Sequence, residues 1–359
     1  MDELLYKEDW GKAKERMEAW WHGEIIDRPT LQVIAPRDKP IGKIKQVKQP
    51  DTIQERWTNV EYVLDVAENQ FKQTFFGGEA FPAWWPNLGP DIFAAYLGCP
   101  LEFGESTSWS FPIIDSWDDI PELVLDENNV WWKKTIELMH AGIERSKDKF
   151  IVGITDLHPG ADGIAALRDP QQLALDVIDN PQAVKETLDV LFDVFVDVYM
   201  KQYELFKHVS GGTTTWLTVY AENLRWYPTS SDFCCMISVE MFQDIFLDEL
   251  IREIRWLDRS LFHLDGPGAL HHLDTLLNIP ELGGIQWVPG SGEDEHGMLK
   301  WLPVLKRIQE AGKLIHINVR AHEVELLLEE LSPKGLMMST YCHSEEEAKA
   351  LLKRVERYS

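Results

Sequence analysis

The stretch Ser-Leu-Phe-His-Leu-Asp-Gly-Pro-Gly, residues 260–268, decides the fold class. Its apolar residues predict a short strand, and His263 and Asp265 stand where that strand ends. The Gly-Pro-Gly run breaks the strand, and a leucine pattern typical of a helix follows over residues 270–277. Parallel α/β folds present their functional side chains where a strand turns into a helix. We therefore expect a βα unit with polar chemistry at its turn.

The same unit repeats along the chain. Strands are predicted near residues 30, 82, 152, 217, 262, 286, 316 and 338, and helical patterns alternate with them. The fourth strand is predicted over residues 214–220. Eight such units predict a single (β/α)8 TIM barrel over residues 1–359. An open doubly wound sheet is the alternative, and the lack of a Gly-x-Gly-x-x-Gly turn after any strand disfavours it.

Two segments extend this repeat. Residues 1–28 carry apolar side chains at helical spacing and predict an extended N-terminal region that begins with a helix. Residues 99–128 form a long insertion whose tryptophan, phenylalanine and isoleucine content predicts an ordered segment rather than a linker. We expect the long insertions to lie at the C-terminal face of the barrel.

The composition narrows the class of partners. The formal net charge of −25 disfavours nucleic acid, whose phosphates repel an acidic protein. No apolar run is long enough to span a membrane and the N-terminus carries no secretory signal, so we expect a cytoplasmic protein that acts on a small molecule. Four scattered cysteines fit a reducing compartment. Exposed aromatic segments are compatible with a homodimer.

Candidate functional residues stand at the predicted strand ends, where a barrel places its active site. Asp156 and Glu222 are candidates for a general acid and base, with Asp265 as a third catalytic carboxylate. The alternative is that Asp156 and Glu222 cap helices or pair with arginines. The candidates for substrate binding are Trp84, Trp85, His158, Tyr220, Asp232 and Trp287.

A candidate metal site combines His263, Asp265 and Cys342. In a strand, His-x-Asp places both side chains on one face, and Cys342 follows the last predicted strand. Zinc accepts imidazole, carboxylate and thiolate ligands together. The alternative is a metal-free polar pocket in which His263 and Asp265 hydrogen-bond to the substrate.

The segment Ser-Asp-Phe-Cys-Cys-Met-Ile-Ser-Val-Glu-Met-Phe, residues 231–242, resembles a loop and helix start of the uroporphyrinogen decarboxylase superfamily. Leu-Arg-Asp at residues 167–169, Asn-Pro at 180–181 and Gly-Lys at 312–313 carry the same resemblance. It covers most of the chain and is best from residue 150 onward. Residues 33–38 lack the arginine-containing motif of the decarboxylases. The chain therefore looks closer to the corrinoid-dependent methyltransferases of that superfamily.

Those methyltransferases bind zinc through His-x-Cys and a distant cysteine. His263 and Cys342 match the first and last of these ligands, and Asp265 stands where the family has its first cysteine. The resemblance implies zinc-assisted transfer of a methyl group between a small substrate and a corrinoid (cobalamin) carried by a partner protein. Two alternatives stay open: a metal-free decarboxylase or lyase acting on a small acid, and a non-catalytic protein that binds a small ligand.

Overall fold

The computed structural model describes residues 3–359 and has a mixed α/β fold with a largely parallel central sheet. Apolar strands at the centre are flanked by helices that bury one face each, as expected for βα units. The strands are β1 (Thr30–Pro36), β2 (Thr74–Gly78), β3 (Ala83–Trp84), β4 (Leu101–Phe103), β5 (Ser108–Ser110), β6 (Ile151–Val152), β7 (Gly212–Thr213), β8 (Ala221–Glu222), β9 (Trp226–Ser230), β10 (Arg259–Asp265), β11 (Gly284–Val288), β12 (Leu314–Asn318) and β13 (Leu336–Tyr341).

Fourteen α-helices lie within residues 3–359. They are α1 (Trp10–Trp21), α2 (Ile53–Thr58), α3 (Val60–Gln73), α4 (Ile92–Tyr96), α5 (Val130–Ser146), α6 (Gly160–Arg168), α7 (Pro170–Asp179), α8 (Pro181–Ser210), α9 (Val239–Ile245), α10 (Leu247–Trp256), α11 (Leu273–Leu277), α12 (Leu302–Glu310), α13 (Val324–Glu330) and α14 (Glu345–Val355). Short 3₁₀ turns occur at Asp232–Met236, Pro267–His272, Leu299–Trp301 and Glu356–Tyr358. No helix among these combines the length and the apolar character that crossing a membrane requires.

Seven strands form one sheet in the order β2-β1-β13-β12-β11-β10-β9. All neighbours in it are parallel except β1 and β2, which are antiparallel. The register places His263 of β10 between Ser230 of β9 and Gln286 of β11. Because parallel strands end at the same edge, the residues that follow β9 and β10 lie close together.

The strand pairing of residues 3–359 does not close into a continuous hydrogen-bonded ring. Strands β3 and β6 form a separate parallel pair, and the N–H of Ile154 donates to the carbonyl of Thr214 at 2.9 Å beyond its end. The hydroxyl of Tyr227 in β9 donates to the carbonyl of Thr155, which connects that pair to the large sheet. The observed architecture is thus a mostly parallel seven-stranded sheet in an α/β fold, with three separate two-stranded sheets among the described residues.

This strand pairing corrects the prediction of a fourth strand over residues 214–220. Those residues have irregular backbone between β7 and β8, which pair as an antiparallel hairpin. The strand that pairs with β10 is β9, whose Pro228 is tolerated because β9 is the last strand of the sheet. The alternating apolar and β-branched residues of 214–220 pack inside the protein instead, and the carbonyl of Thr218 accepts a hydrogen bond from Gln32 of β1 at 2.6 Å.

Other element boundaries also differ from the sequence prediction. The N-terminal helix α1 covers Trp10–Trp21 rather than residues 1–28, and residues 1 and 2 lie outside the described part. Trp10 packs its ring 5.0 Å from that of Tyr220 in the 214–220 segment. The predicted insertion 99–128 contains the β4–β5 hairpin, and Trp117 within it lies under the guanidinium of Arg168 at 5.5 Å.

Helix α10 buries two carboxyl groups, Glu249 and Glu253, beneath the region that holds α6. Burial raises the pKa of Glu249 to about 8; the charge of Arg252 opposes this shift, and the charges of Asp162 and Asp189 add to it. An acid with a raised pKa holds its proton in the folded state and loses it on unfolding. Its contribution to stability is therefore greatest at low pH and falls as the pH rises from about 4.5 toward about 8.

We expect Glu249→Gln to flatten the pH dependence of stability over that window. The slope attributable to one such group is about 1.4 kcal/mol per pH unit. Urea unfolding at pH 5 and pH 8 measures it, with Glu186→Gln on the exposed face of α8 as the matched control. Equal pH slopes for the wild type and Glu249→Gln would contradict the assignment.

Candidate functional site

A cavity of about 650 Å³ opens beside the ends of β9 and β10 and the start of α6. It collects side chains that follow different strands, as expected where parallel strands end together. Two imidazoles and one indole share its wall with carboxylates. These residues are Asp91, Asp156, His158, Asp162, Asp169, Trp216, Asp232 and His263.

Asp232, His263 and Asp265 form a possible ligand set at this cavity. One ligand atom from each residue lies within 4.8 Å of the others. Oδ1 of Asp265 is buried and has no hydrogen-bond partner, which is the state expected of an oxygen placed for an ion. His263 directs its Nδ1–H to Oε1 of Gln286 at 2.5 Å, and this leaves Nε2 as the nitrogen available to an ion.

The carboxylate of Asp162 positions the loop that carries Asp232. It accepts the backbone N–H of Asp232 at 3.0 Å and that of Phe233 at 2.9 Å. It also accepts the hydroxyl of Ser230 at 3.0 Å. Asp162 lies in the first turn of α6, so one side chain joins the start of α6 to the end of β9.

His158 is a second charged centre on the cavity wall. Its Nε2 lies 2.9 Å from Oδ1 of Asp156 in an ion pair, and its Nδ1–H donates to the hydroxyl of Ser230 at 2.9 Å. Burial disfavours the charged imidazolium, but the adjacent Asp156, with Asp162 and Asp232, outweighs burial and raises the pKa of His158 to about 10. His158 is therefore a fixed cation at neutral pH.

The surroundings of Asp232 change the pKa of its carboxyl group. Desolvation in the cavity and the nearby charge of Asp162 raise its pKa to about 6, while His263 and His158 act in the opposite direction. Its side chain is exposed at the cavity mouth. At neutral pH the carboxylate is ionised and available as a ligand.

Trp216 is a site residue that the sequence analysis missed. Its indole stacks on the ring of His158 with 6.5 Å between centroids, and it meets the ring of His263 edge-on at 5.1 Å. It lies in the 214–220 segment and was assigned to a strand interior. The only local signal was a large aromatic residue four residues after a Gly-Gly pair.

Two predicted site residues lie away from the cavity, because the 214–220 segment is not a barrel strand. Glu222 is exposed in β8 and forms an ion pair with Lys14 of α1 at 3.0 Å. Tyr220 is buried and donates its hydroxyl to the carbonyl of Ser210 at 2.9 Å. Asp156 therefore has Asp162 and His158 as neighbours, and Glu222 is not its partner.

The three tryptophans predicted to bind substrate do not line this cavity either. Trp84 packs so closely against Gly142 of α5 that a Cβ atom added to that glycine would lie 2.3 Å from the indole ring. Trp84 and Trp85 border a separate, small depression beside Leu138. Trp287 is fully buried, with its ring 5.0 Å from that of Trp301. Paired tryptophans in this chain serve packing between helices and sheet.

Cys342 lies outside the Asp232–His263–Asp265 set. It is buried after β13, and its N–H donates to the carbonyl of Ile34 at 2.9 Å. Burial and the charge of Glu347 raise the pKa of its thiol to about 11, with Arg354 opposing, so the thiol is protonated at neutral pH. The geometry thus replaces Cys342 by Asp232 as the third neighbour of His263 and Asp265.

A second cavity of about 500 Å³ lies on the other side of Trp216. Its polar wall includes Gln32, Gln286 and His316, and no carboxylate, lysine or arginine contributes to it among the described residues. Burial lowers the pKa of His316 to about 4, so that imidazole is neutral. The two cavities share Trp216 but differ in charge.

Comparison with known proteins supports the fold. No protein-family model matches the sequence, and no curated protein gives a significant match. Among solved structures, a methyltransferase from Methanosarcina mazei matches with a TM-score of 0.64 and 12% sequence identity. The match covers 96% of this chain and 98% of that one. The chain therefore shares the fold of that methyltransferase over nearly its whole length.

The charge on His158 can be tested directly. We expect its imidazole to stay protonated up to about pH 9, and Asp156→Asn to lower its pKa by about two pH units because the nearest opposite charge is lost. Histidine NMR titration measures both values, with Glu222→Gln as a control that leaves the titration unchanged. A wild-type His158 that titrates near its ordinary value of 6.5 would refute the ion-pair assignment.

Proposed function

We propose that this protein is a metal-dependent methyltransferase that moves a methyl group between a small substrate and a corrinoid carried by a partner protein. The observation that carries the proposal is the Asp232–His263–Asp265 set, of which Asp232 and His263 line the cavity. It occurs in a fold shared with a methyltransferase from Methanosarcina mazei. The resemblance of residues 231–242 to the uroporphyrinogen decarboxylase superfamily supports the same assignment.

The donor set fits a zinc ion. One imidazole and two carboxylates are accepted by zinc, and three protein ligands leave a position open for substrate. Gln286 fixes the ring of His263 from behind, which is the usual arrangement of a metal-bound histidine. The unpartnered Oδ1 of Asp265 fits the same role. When bound, zinc would supply Lewis-acid activation of a thiol or of the group that bears the methyl.

The protein's own residues would orient and isolate the substrate. Asp162 holds Asp232 at the cavity wall, and Gln286 holds His263. The indole of Trp216 stacks on the imidazole of His158 and meets that of His263 edge-on, so it would form an aromatic side of the substrate space. The imidazolium of His158 would provide a fixed positive charge beside substrate groups that develop negative charge.

The barrel predicted from the sequence is retained as part of this proposal, with one change. The eight strands would be β1, β3, β6, β9, β10, β11, β12 and β13. The β7–β8 hairpin and the 214–220 segment then occupy the space between β6 and β9. This arrangement would place Asp156, Asp232 and His263 at the C-terminal face of the barrel.

The two alternatives have weaker support. A metal-free decarboxylase or lyase acting on a small acid needs cationic groups for the substrate, whereas this cavity is lined by carboxylates. Glu222 is also unavailable for the acid–base pair of that alternative, because it forms an ion pair with Lys14 away from the cavity. A binding protein that uses Trp84, Trp85 and Trp287 has no common cavity for them.

The proposal predicts methylation of a free corrinoid. Zinc-loaded protein is incubated with cob(I)alamin and, in turn, a methylated amine, a thioether, methanol and a methoxyarene, and absorbance follows methylcobalamin. We expect formation with at least one donor, and a fall of about 100-fold or more in His263→Ala and Asp265→Ala because the ion is lost.

Cys342→Ala is the matched control, since its thiol lies outside the set. It should keep the wild-type rate. The proposal fails if no donor yields methylcobalamin with the zinc-loaded wild type. It also fails if Cys342→Ala is as inactive as His263→Ala while remaining folded.

A further inference from the structure

The cavity beside the ligand set carries an excess of negative charge. Five carboxylates line it, those of Asp91, Asp156, Asp162, Asp169 and Asp232, and no lysine or arginine does so among residues 3–359. His158 is its fixed cation, and Asp156 already neutralises that charge. A divalent ion at the ligand set would cancel two charges, and a net negative field would remain.

Several of these carboxylates accept hydrogen bonds from neighbouring N–H and O–H groups. Asp91 accepts both the backbone N–H and the hydroxyl of Ser110, at 2.8 and 3.2 Å. Asp169 accepts the N–H groups of Gln171 and Gln172 at the start of α7. These hydrogen bonds fix the two carboxylates in place as part of the cavity wall.

Much of the rest of the wall is apolar. Between the carboxylates lie Trp216 and the side chains of Pro90, Pro112, Ala165, Ala166, Phe233 and Met236. Such a surface suits a cation whose charge is spread over methyl groups, because these groups make apolar contacts and form no hydrogen bonds. A strongly hydrated or anionic ligand would lose its water without compensation.

The neighbouring cavity provides an internal comparison. It shares Trp216 and is of similar size, but its wall carries neutral amides, hydroxyls and imidazoles. Of the two cavities that share Trp216, only the one that borders the ligand set is lined by carboxylates. The difference in charge favours a cationic ligand in the cavity that borders the ligand set over the neighbouring cavity.

We propose that the acidic cavity binds a small methylated ammonium ion, which is the methyl donor of the reaction. This inference rests on the proposed function and names its substrate class. In the transfer, the C–N bond breaks and its electron pair stays on nitrogen, giving a tertiary amine. The methyl group bonds to a cobalt(I) corrinoid, whose cobalt is thereby oxidised to cobalt(III).

Calorimetric titration with choline and with 3,3-dimethylbutan-1-ol tests the substrate class without any corrinoid. The two molecules have the same shape, and only choline is charged. We expect choline to bind about tenfold tighter or more, and its advantage to shrink as salt is raised. The anion 3,3-dimethylbutanoate should bind more weakly than either. Equal binding of choline and the alcohol, or tighter binding of the anion, would overturn the inference.

Two variants localise the effect. Asp91→Asn removes a wall charge outside the ligand set and should weaken choline several-fold while leaving the neutral alcohol unchanged. Glu222 pairs with Lys14 of α1 away from the cavity, so Glu222→Gln should change the affinity for neither ligand. If Asp91→Asn weakens both ligands equally, charge is not the basis of recognition and the inference is wrong.

The outcome separates this inference from the proposed function. Methylcobalamin formed only from an uncharged donor, with no choline binding, would overturn the ammonium assignment and leave the methyltransferase intact. Choline binding in the acidic cavity without methyl transfer from any ammonium donor would overturn the donor role.

Discussion

The carboxylate of Asp162 is the interaction on which the arrangement of the site depends. It accepts two backbone N–H groups and one hydroxyl from the segment that follows β9. A hydrogen bond to a charged acceptor contributes about 1.5–3 kcal/mol, so three of them determine where that loop lies. Because the loop is held there, Asp232 lies at the cavity. The hydroxyl of Ser230 is oriented to accept a hydrogen bond from His158.

The charges at the site constrain one another. The charges of Asp156, Asp162 and Asp232 raise the pKa of His158, and desolvation together with the charge of Asp162 raises the pKa of Asp232 to about 6. Asp265 keeps a buried oxygen without a donor. A cluster of this kind is stabilised when a positive group enters it. The proposed divalent ion at the ligand set and the proposed cationic ligand beside it both rest on this arrangement of charges.

The part of the site that local patterns could predict lies on regular strands. His263 and Asp265 were found because a strand followed by Gly-Pro-Gly marks a βα turn, and His158 and Asp156 follow another strand in the same way. Asp232 was found in a loop after a predicted strand. The mostly parallel α/β fold followed from the same repeat. Each of these inferences used only residues close in sequence.

The errors came from tertiary packing that leaves no local signal. Residues 214–220 alternate like a strand, but their route through the interior is set by contacts with Gln32 and with Trp10. Because of that error, Tyr220 and Glu222 were predicted as site residues and Trp216 was not. Cys342 stood after the last strand, yet its burial against Ile34 could be seen only in three dimensions.

The most direct test of the account is zinc X-ray absorption on protein loaded with one equivalent of zinc and free of substrate. The Asp232–His263–Asp265 set predicts a shell of nitrogen and oxygen at about 2.0–2.2 Å, unchanged in Cys342→Ala. A sulfur neighbour at about 2.3 Å that disappears in Cys342→Ala would contradict the ligand set. Failure of the folded wild type to retain zinc on desalting would contradict the metal site itself.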